Sequence, residues 1–327
     1  MKIYILLVVS IMKKQSNYFS EYIKINGIEQ YLLHYNANPE YPVLLFLHGG
    51  PGMAESTFAY AFQCNLSSLF TVVHWDQRGA GKTLTKTSKK NKYPSMDELL
   101  DDLLKVVQYL KEKYNKDKII ILGHSWGSVL GTIFVKKYPE EVLYYIGTGQ
   151  VIDIVENEKI GYDKLKELII NADNKKDLDN LKKIGVYPEK NYEKSMIKKI
   201  QKIRILQGKY KIGMNFIPII KTLIKSPVFR LSDISSLIKG MSNNKELWDF
   251  LFSHNLYEES REYEIPVFYI LGDVDFQAPN TIASSYFETI NAPNKKLFLI
   301  KDAGHFMMLD QSKLFADVLE EICALTT

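Results

Sequence analysis

Short runs that are apolar at nearly every position recur along the chain at residues 43–47, 72–75, 119–122, 142–146, 267–271 and 297–300. A strand that is hydrophobic on both faces belongs in the middle of a covered sheet, so these runs predict central strands. Between several of them the pattern changes to a helical period. Over residues 95–114, Leu99, Leu103, Val106, Val107 and Leu110 mark one face, and Ser95 with Glu98 forms a capping-box pattern at the start. Residues 128–137 give a second helix. Near the N-terminus, residues 22–35 read as a strand pair around Asn26-Gly27, a dipeptide suited to a two-residue type I′ turn. Strands alternating with helices predict an α/β fold built on a doubly wound, mostly parallel sheet.

The alternation stops near Gly149 and resumes near Pro266. The stretch between has helical spacing, as at 162–170 and 192–206, and lacks strand signals. It predicts a helical cap, residues 150–263, inserted into a core formed by 15–149 and 264–327. Such a cap overhangs the carboxyl ends of the strands, where open α/β sheets bind ligands. The length of 327 residues suits one domain with an insertion better than two unrelated domains.

Composition narrows the partners. The formal charge of +4 is spread through lysines that alternate with acids, so a small-molecule or short-peptide substrate is expected rather than nucleic acid. Cys64 and Cys323 lie far apart without metal-ligand spacing, which predicts two free thiols in a reducing compartment. No metal or organic cofactor is implied. The apolar run 3–12 is too short to span a bilayer, lacks a following small-x-small cleavage site and ends in Lys13-Lys14. Cytoplasmic residence without stable membrane association is therefore expected, the alternatives for this run being a weak secretory signal or a translation start at Met12.

Four loops after strands carry candidate chemistry. Gly123-His124-Ser125-Trp126-Gly127 joins a strand to a helix, the context in which G-x-S-x-G raises a serine nucleophile on a tight turn. Small residues at 123 and 127 let the turn close, and the helix N-terminus favours a developing anion at Ser125. His48-Gly49-Gly50-Pro51-Gly52 can bring a backbone amide up to a substrate oxygen, so the amides of Gly50 and Trp126 are the expected oxyanion donors. Gly272-Asp273-Val274-Asp275 and Ala303-Gly304-His305-Phe306 complete the order Ser, Asp, His, with His305 as general base and Asp273 or Asp275 as the acid that orients it. Gly79-Ala80-Gly81-Lys82-Thr83 superficially matches a phosphate-binding loop, but the motif needs glycine where Asp76 stands.

The sequences HGGPG at 48–52, Asp76-Gln77-Arg78-Gly79-Ala80-Gly81-Lys82-Thr83, and GHSWGS at 123–128 resemble the proline iminopeptidase branch of the α/β hydrolases. The resemblance covers roughly residues 20–150 and 264–325 and implies the α/β-hydrolase fold. It implies a triad of Ser125, His305 and Asp275, the fourth residue of G-x-x-D, with oxyanion donors at Gly50 and Trp126. Members of that branch release an N-terminal residue, often proline, and hold its free amine with glutamates. Two departures stand out: Lys82-Thr83 ends the second motif, and Phe276 follows Asp275 where some relatives carry an acid. An amine-binding carboxylate must then come from the cap or its borders, where Glu156, Glu158 and Glu258 are the candidates. The same triad could serve an esterase, an amidase or a carbon–carbon bond hydrolase, and a ligand-binding regulator on a hydrolase scaffold is the alternative of another class. A serine at position 125 disfavours epoxide and haloalkane hydrolases, whose nucleophile in this fold is a carboxylate.

Overall fold

In the computed structural model, which describes residues 18–66, 68–87, 93–189, 194–214 and 216–326, Asn26 and Gly27 turn the chain with φ of 47° and 82°. Both values are positive, as a type I′ turn requires. They join β1 (Tyr18–Ile25) to β2 (Ile28–Tyr35) in antiparallel register, so the hairpin starts four residues before the expected Tyr22. The apolar run 3–12 lies outside the described residues.

β3 (Val43–Leu47), β4 (Thr71–Asp76), β5 (Ile119–His124), β6 (Val142–Thr148), β7 (Val267–Gly272) and β8 (Lys295–Ile300) extend the sheet. The strand order is β1-β2-β4-β3-β5-β6-β7-β8 in one 8-stranded sheet. β2 pairs antiparallel with β4, and every pair from β3 to β8 is parallel. This is the α/β-hydrolase fold.

Because successive side chains point to opposite faces, each apolar run feeds two cores. Leu45, Ile121 and Tyr269 pack with Leu103 and Val106 of the helix Met96–Tyr114 and with Phe134 of the helix Trp126–Lys137. Leu44, Leu122 and Phe268 pack on the other face with Phe62, Phe315 and Leu319. In β6 the register passes from Ile119↔Val142 to Ile121↔Tyr145, and the additional residue turns Leu143 outward, 42% exposed.

The capping box at Ser95 is formed: its hydroxyl accepts from the Glu98 amide at 3.2 Å, and the Glu98 carboxylate accepts from the Ser95 amide at 3.0 Å. Between β6 and β7 lie the helices Ile154–Asn171, Lys175–Lys182, Lys194–Lys209, Phe216–Lys225, Asp233–Asn243 and Lys245–Ser253. The first runs well beyond the expected 162–170, because the Asp153 carboxylate caps its start by accepting from the amides of Val155 and Glu156. The expected helix at 192–206 is found at Lys194–Lys209, with Tyr192 outside the described residues. The Leu256 amide bonds the Ile152 carbonyl at 2.9 Å, tying the two ends of the insertion together. Among the described residues no helix is long and apolar enough to cross a membrane. Cys64 and Cys323 form no disulfide.

Leu103 is fully buried beneath the sheet. Leu103→Ala is expected to lower unfolding free energy in urea titration by about 2–5 kcal/mol, against about 1 kcal/mol for Ser95→Ala, which removes only the cap.

Candidate active site

Ser125 lies between β5 and the helix Trp126–Lys137 at φ 53° and ψ −120°, a conformation that an L side chain adopts only under constraint. Close backbone approach supplies the constraint. A Cβ on Gly123 would stand 2.4 Å from the Gly127 carbonyl oxygen, and one on Gly127 would stand 2.1 Å from that of Leu47. Bare glycines thus let the helix begin directly over the ends of β3 and β5. The Ser125 amide donates to the Thr148 carbonyl at 3.0 Å, and the Ser125 carbonyl accepts from the Ser128 amide at 2.8 Å. As the first helical residue, Trp126 has an amide with no carbonyl one turn before it.

Asp275 and His305 are both buried and meet directly, with Asp275 Oδ2 2.8 Å from His305 Nδ1. Asp275 Oδ1 accepts from the amides of Gln277 and Ala278 at 2.8 and 3.0 Å. Burial works to raise the Asp275 pKa, yet the neighbouring His305 and these hydrogen bonds hold it below the usual carboxylate range. An ionised carboxylate only accepts, so Nδ1 of His305 carries the hydrogen and Nε2 is the free nitrogen. Asp273 goes elsewhere: its Oδ1 accepts from the Ala303 amide at 3.2 Å and braces two loops.

Gly50, Ser125, Trp126 and His305 line one cavity of about 870 Å³. The insertion supplies apolar walls, among them Ile154, Ile200, Trp248 and Leu251. Glu158 is the lining carboxylate among the described residues, and it is buried. It accepts from the Tyr187 hydroxyl and from both terminal nitrogens of Arg204, which also lines the cavity. The other two candidates lie apart from it. Glu156 is paired with exposed Lys159 at 3.4 Å, and Glu258 sits exposed in the turn Leu256–Glu258.

Several residues around the site have no role assigned from the sequence, some of them inside the motifs themselves. Gln77 links three motifs: its amide donates to His48 Nε2 at 3.2 Å, its side-chain nitrogen to the His48 carbonyl at 3.3 Å, and its oxygen accepts from the Trp126 indole at 3.1 Å. Burial pushes the His48 pKa down to about 4, so the ring is neutral, donating from Nδ1 to the Gly49 carbonyl at 2.8 Å. Lys82, the lysine of the apparent phosphate loop, is instead buried against Asp233 of the insertion at 2.5 Å. Glu55 and His124 form a second buried pair. Arg204 and Glu55 stand outside any motif, so spacing could not single them out; His124 occupies the variable position of G-x-S-x-G.

The family description of the α/β hydrolase fold matches residues 42–181. A probable aminopeptidase of Bacillus subtilis, YbaC, is 27% identical over 312 residues, covering 94% of this chain and 96% of that protein. A proline iminopeptidase of Neisseria meningitidis is 29% identical over 125 residues, 38% of each chain. Among solved structures, a proline iminopeptidase-related protein from Thermus thermophilus superposes with a TM-score of 0.62 at 17% identity, covering 94% of this chain and 98% of that one, which is a likeness of fold.

The strain at Ser125 can be measured. A side chain held at such a φ costs about 1–3 kcal/mol, of which a glycine there recovers all but about 0.4–1 kcal/mol lost to unfolded-chain entropy. Ser125→Gly is expected to be more stable than the parent in urea titration by about 1 kcal/mol, and Ser125→Ala to lack this gain. Equal stability of the three proteins would remove the argument for strain.

Proposed function

We propose, from the premise that this chain is an α/β-hydrolase, that it is an aminopeptidase of proline-iminopeptidase type, releasing an N-terminal residue from short peptides through an acyl-enzyme on Ser125. The observation that carries this reading is Glu158, a buried carboxylate lining the same cavity as Ser125 and His305. The free α-ammonium of a peptide needs such a partner, because an unpaired charge taken out of water is costly. The insertion, residues 150–263, then acts as a cap that selects the substrate.

In this reading, Ser125 Oγ attacks the scissile carbonyl while Nε2 of His305 takes its proton. Asp275, bonded to Nδ1, fixes the tautomer and stabilises the imidazolium. The amides of Gly50 and Trp126 receive the negative charge that develops on the carbonyl oxygen. His305 passes its proton to the leaving amine, and water then cleaves the acyl-enzyme by the same path.

A second reading, hydrolysis of acyl esters, is favoured by a different observation: Arg204 already neutralises Glu158, and the remaining walls are largely apolar. The two readings part on the free amine.

Ser125→Ala is expected to lower kcat by about 10⁶ and to abolish labelling by an organophosphonate probe. Asp275→Asn should cost about 10⁴, because asparagine favours the wrong imidazole tautomer, whereas Asp273→Asn should cost far less. Equal losses for the two acids, or labelling at another serine, would overturn these assignments.

Aminoacyl arylamides, the prolyl one included, are expected to turn over much faster than their N-acetylated counterparts. Glu158→Gln should erase that ratio, since losing a buried charge partner costs about 3–5 kcal/mol, a factor of hundreds or more. Reading the ratio cancels any general damage from the substitution. If N-acetylated substrates or plain acyl esters react as fast as free-amine substrates, the peptidase reading gives way to the esterase.

A further inference from the structure

One buried ion pair beneath the site has no part in the chemistry described so far. His124 precedes Ser125 at the end of β5, and both it and Glu55 are 1% exposed. Its Nδ1 meets Oε1 of Glu55, and its Nε2 lies 2.8 Å from the backbone carbonyl oxygen of His305. A carbonyl can only accept, so Nε2 of His124 carries a hydrogen. The ring also packs against those of His305 and Phe306, with centroids 4.9 and 4.8 Å away. Glu55 Oε1 reaches in the other direction and accepts from the Gly49 amide at 3.3 Å, one residue before Gly50. Burial disfavours a charged imidazole, but Glu55 overcomes this and raises the His124 pKa above the ordinary histidine range.

Three separate segments therefore meet on this pair: the loop after β3 that carries Gly50, the end of β5 that carries Ser125, and the loop after β8 that carries His305. Each is attached by a directional bond to one of two buried side chains, where losing one partner leaves the other group unsatisfied. We propose that Glu55 and His124 are positioning residues, which hold the His305 backbone and the Gly49–Gly50 loop in register with Ser125. The inference rests on the proposed roles of Ser125, His305 and Gly50 but not on the identity of the substrate.

The test is the rate at which an organophosphonate probe labels Ser125, together with kcat and KM on the best arylamide or ester. His124→Phe keeps an aromatic ring but removes both donors, and Glu55→Leu removes the acceptor. His124→Asn and Glu55→Gln retain part of the hydrogen bonding. Misplacement of a catalytic group by about 1 Å costs on the order of 100-fold, so His124→Phe and Glu55→Leu should lose about that factor in kcat and labelling rate, with KM little changed. His124→Asn and Glu55→Gln should recover most of the loss, and they keep the comparison open if the apolar variants fail to fold. Should the polar variants also be as slow as the apolar ones, or the apolar ones fold and label at the parent rate, the proposal is overturned. Failure of the parent itself to label at Ser125 would instead overturn the serine-hydrolase reading, and the positioning role with it.

Discussion

The close crossing of one helix over two strand ends is the constraint on which the rest of the structure depends. Gly127 and Gly131 are one turn apart on the helix Trp126–Lys137 and share a face. A Cβ on the first would collide with the Leu47 carbonyl at 2.1 Å, and one on the second would stand 2.8 Å from the Tyr145 ring. The helix can therefore lie close against β3, β5 and β6 only while both positions lack a side chain. That proximity forces Ser125 into its positive φ and places a helix N-terminus beside its hydroxyl. The strain at one residue is sustained because packing along the whole helix opposes its relief.

The loops around this crossing are bonded to one another as well as to the sheet. Gln77 joins the His48 loop to the Trp126 indole, and Asp76 accepts from the Lys82 amide at 2.7 Å, so the loop after β4 is braced at both ends. Lys82 then reaches Asp233, and the Asn244 side chain donates to the Gly79 carbonyl at 3.3 Å. The loop after β4 thus connects the strand ends to the insertion. Gly52 and Gly240 approach so closely that a Cβ on either would stand within 2.4 Å of the other's backbone. The side of the cavity formed by the helix Asp233–Asn243 is consequently fixed to the loop that carries Gly50.

What the sequence made legible follows from local physics. The central strands are apolar on both faces, the Asn26-Gly27 turn requires two positive φ values, and the capping box is a short-range bond; all three could be read without tertiary knowledge. Strand ends were less legible, because His124, Thr148 and Gly272 extend their strands through pairing to neighbours rather than through hydrophobicity. Asp273 and Asp275 share a loop and a chemistry, and only the fold separates a carboxylate bonded to His305 from one bonded to the Ala303 amide. Glu158 meets Arg204 across 46 residues and Glu55 meets His124 across 69, so neither pair leaves a periodic trace. Side chains that recognise each other through space write nothing into spacing along the chain.

The Glu158–Arg204 pair also bears on how a cavity lined, among the described residues, by one carboxylate and by Arg204, Lys209 and Lys211 could prefer a charged amine. An ionised carboxylate offers about four acceptor sites. Glu158 uses two on Oε2, for Tyr187 and one Arg204 nitrogen, and one on Oε1 for the other nitrogen. One site on Oε1 remains. An ammonium bound there about 3 Å from the carboxylate and about 6 Å from the guanidinium gains roughly 5.5 kcal/mol and loses roughly 2.8 kcal/mol, at an effective dielectric constant of about 20. The difference, about 3 kcal/mol, corresponds to about a hundredfold preference before desolvation is counted. In the proposed aminopeptidase reading, Arg204 would weaken the Coulomb attraction of Glu158 for an ammonium without cancelling it, because attraction and repulsion act over different distances. In that reading an N-acetyl group, being uncharged, forfeits the difference, so comparing free and N-acetylated substrates reports on this one interaction.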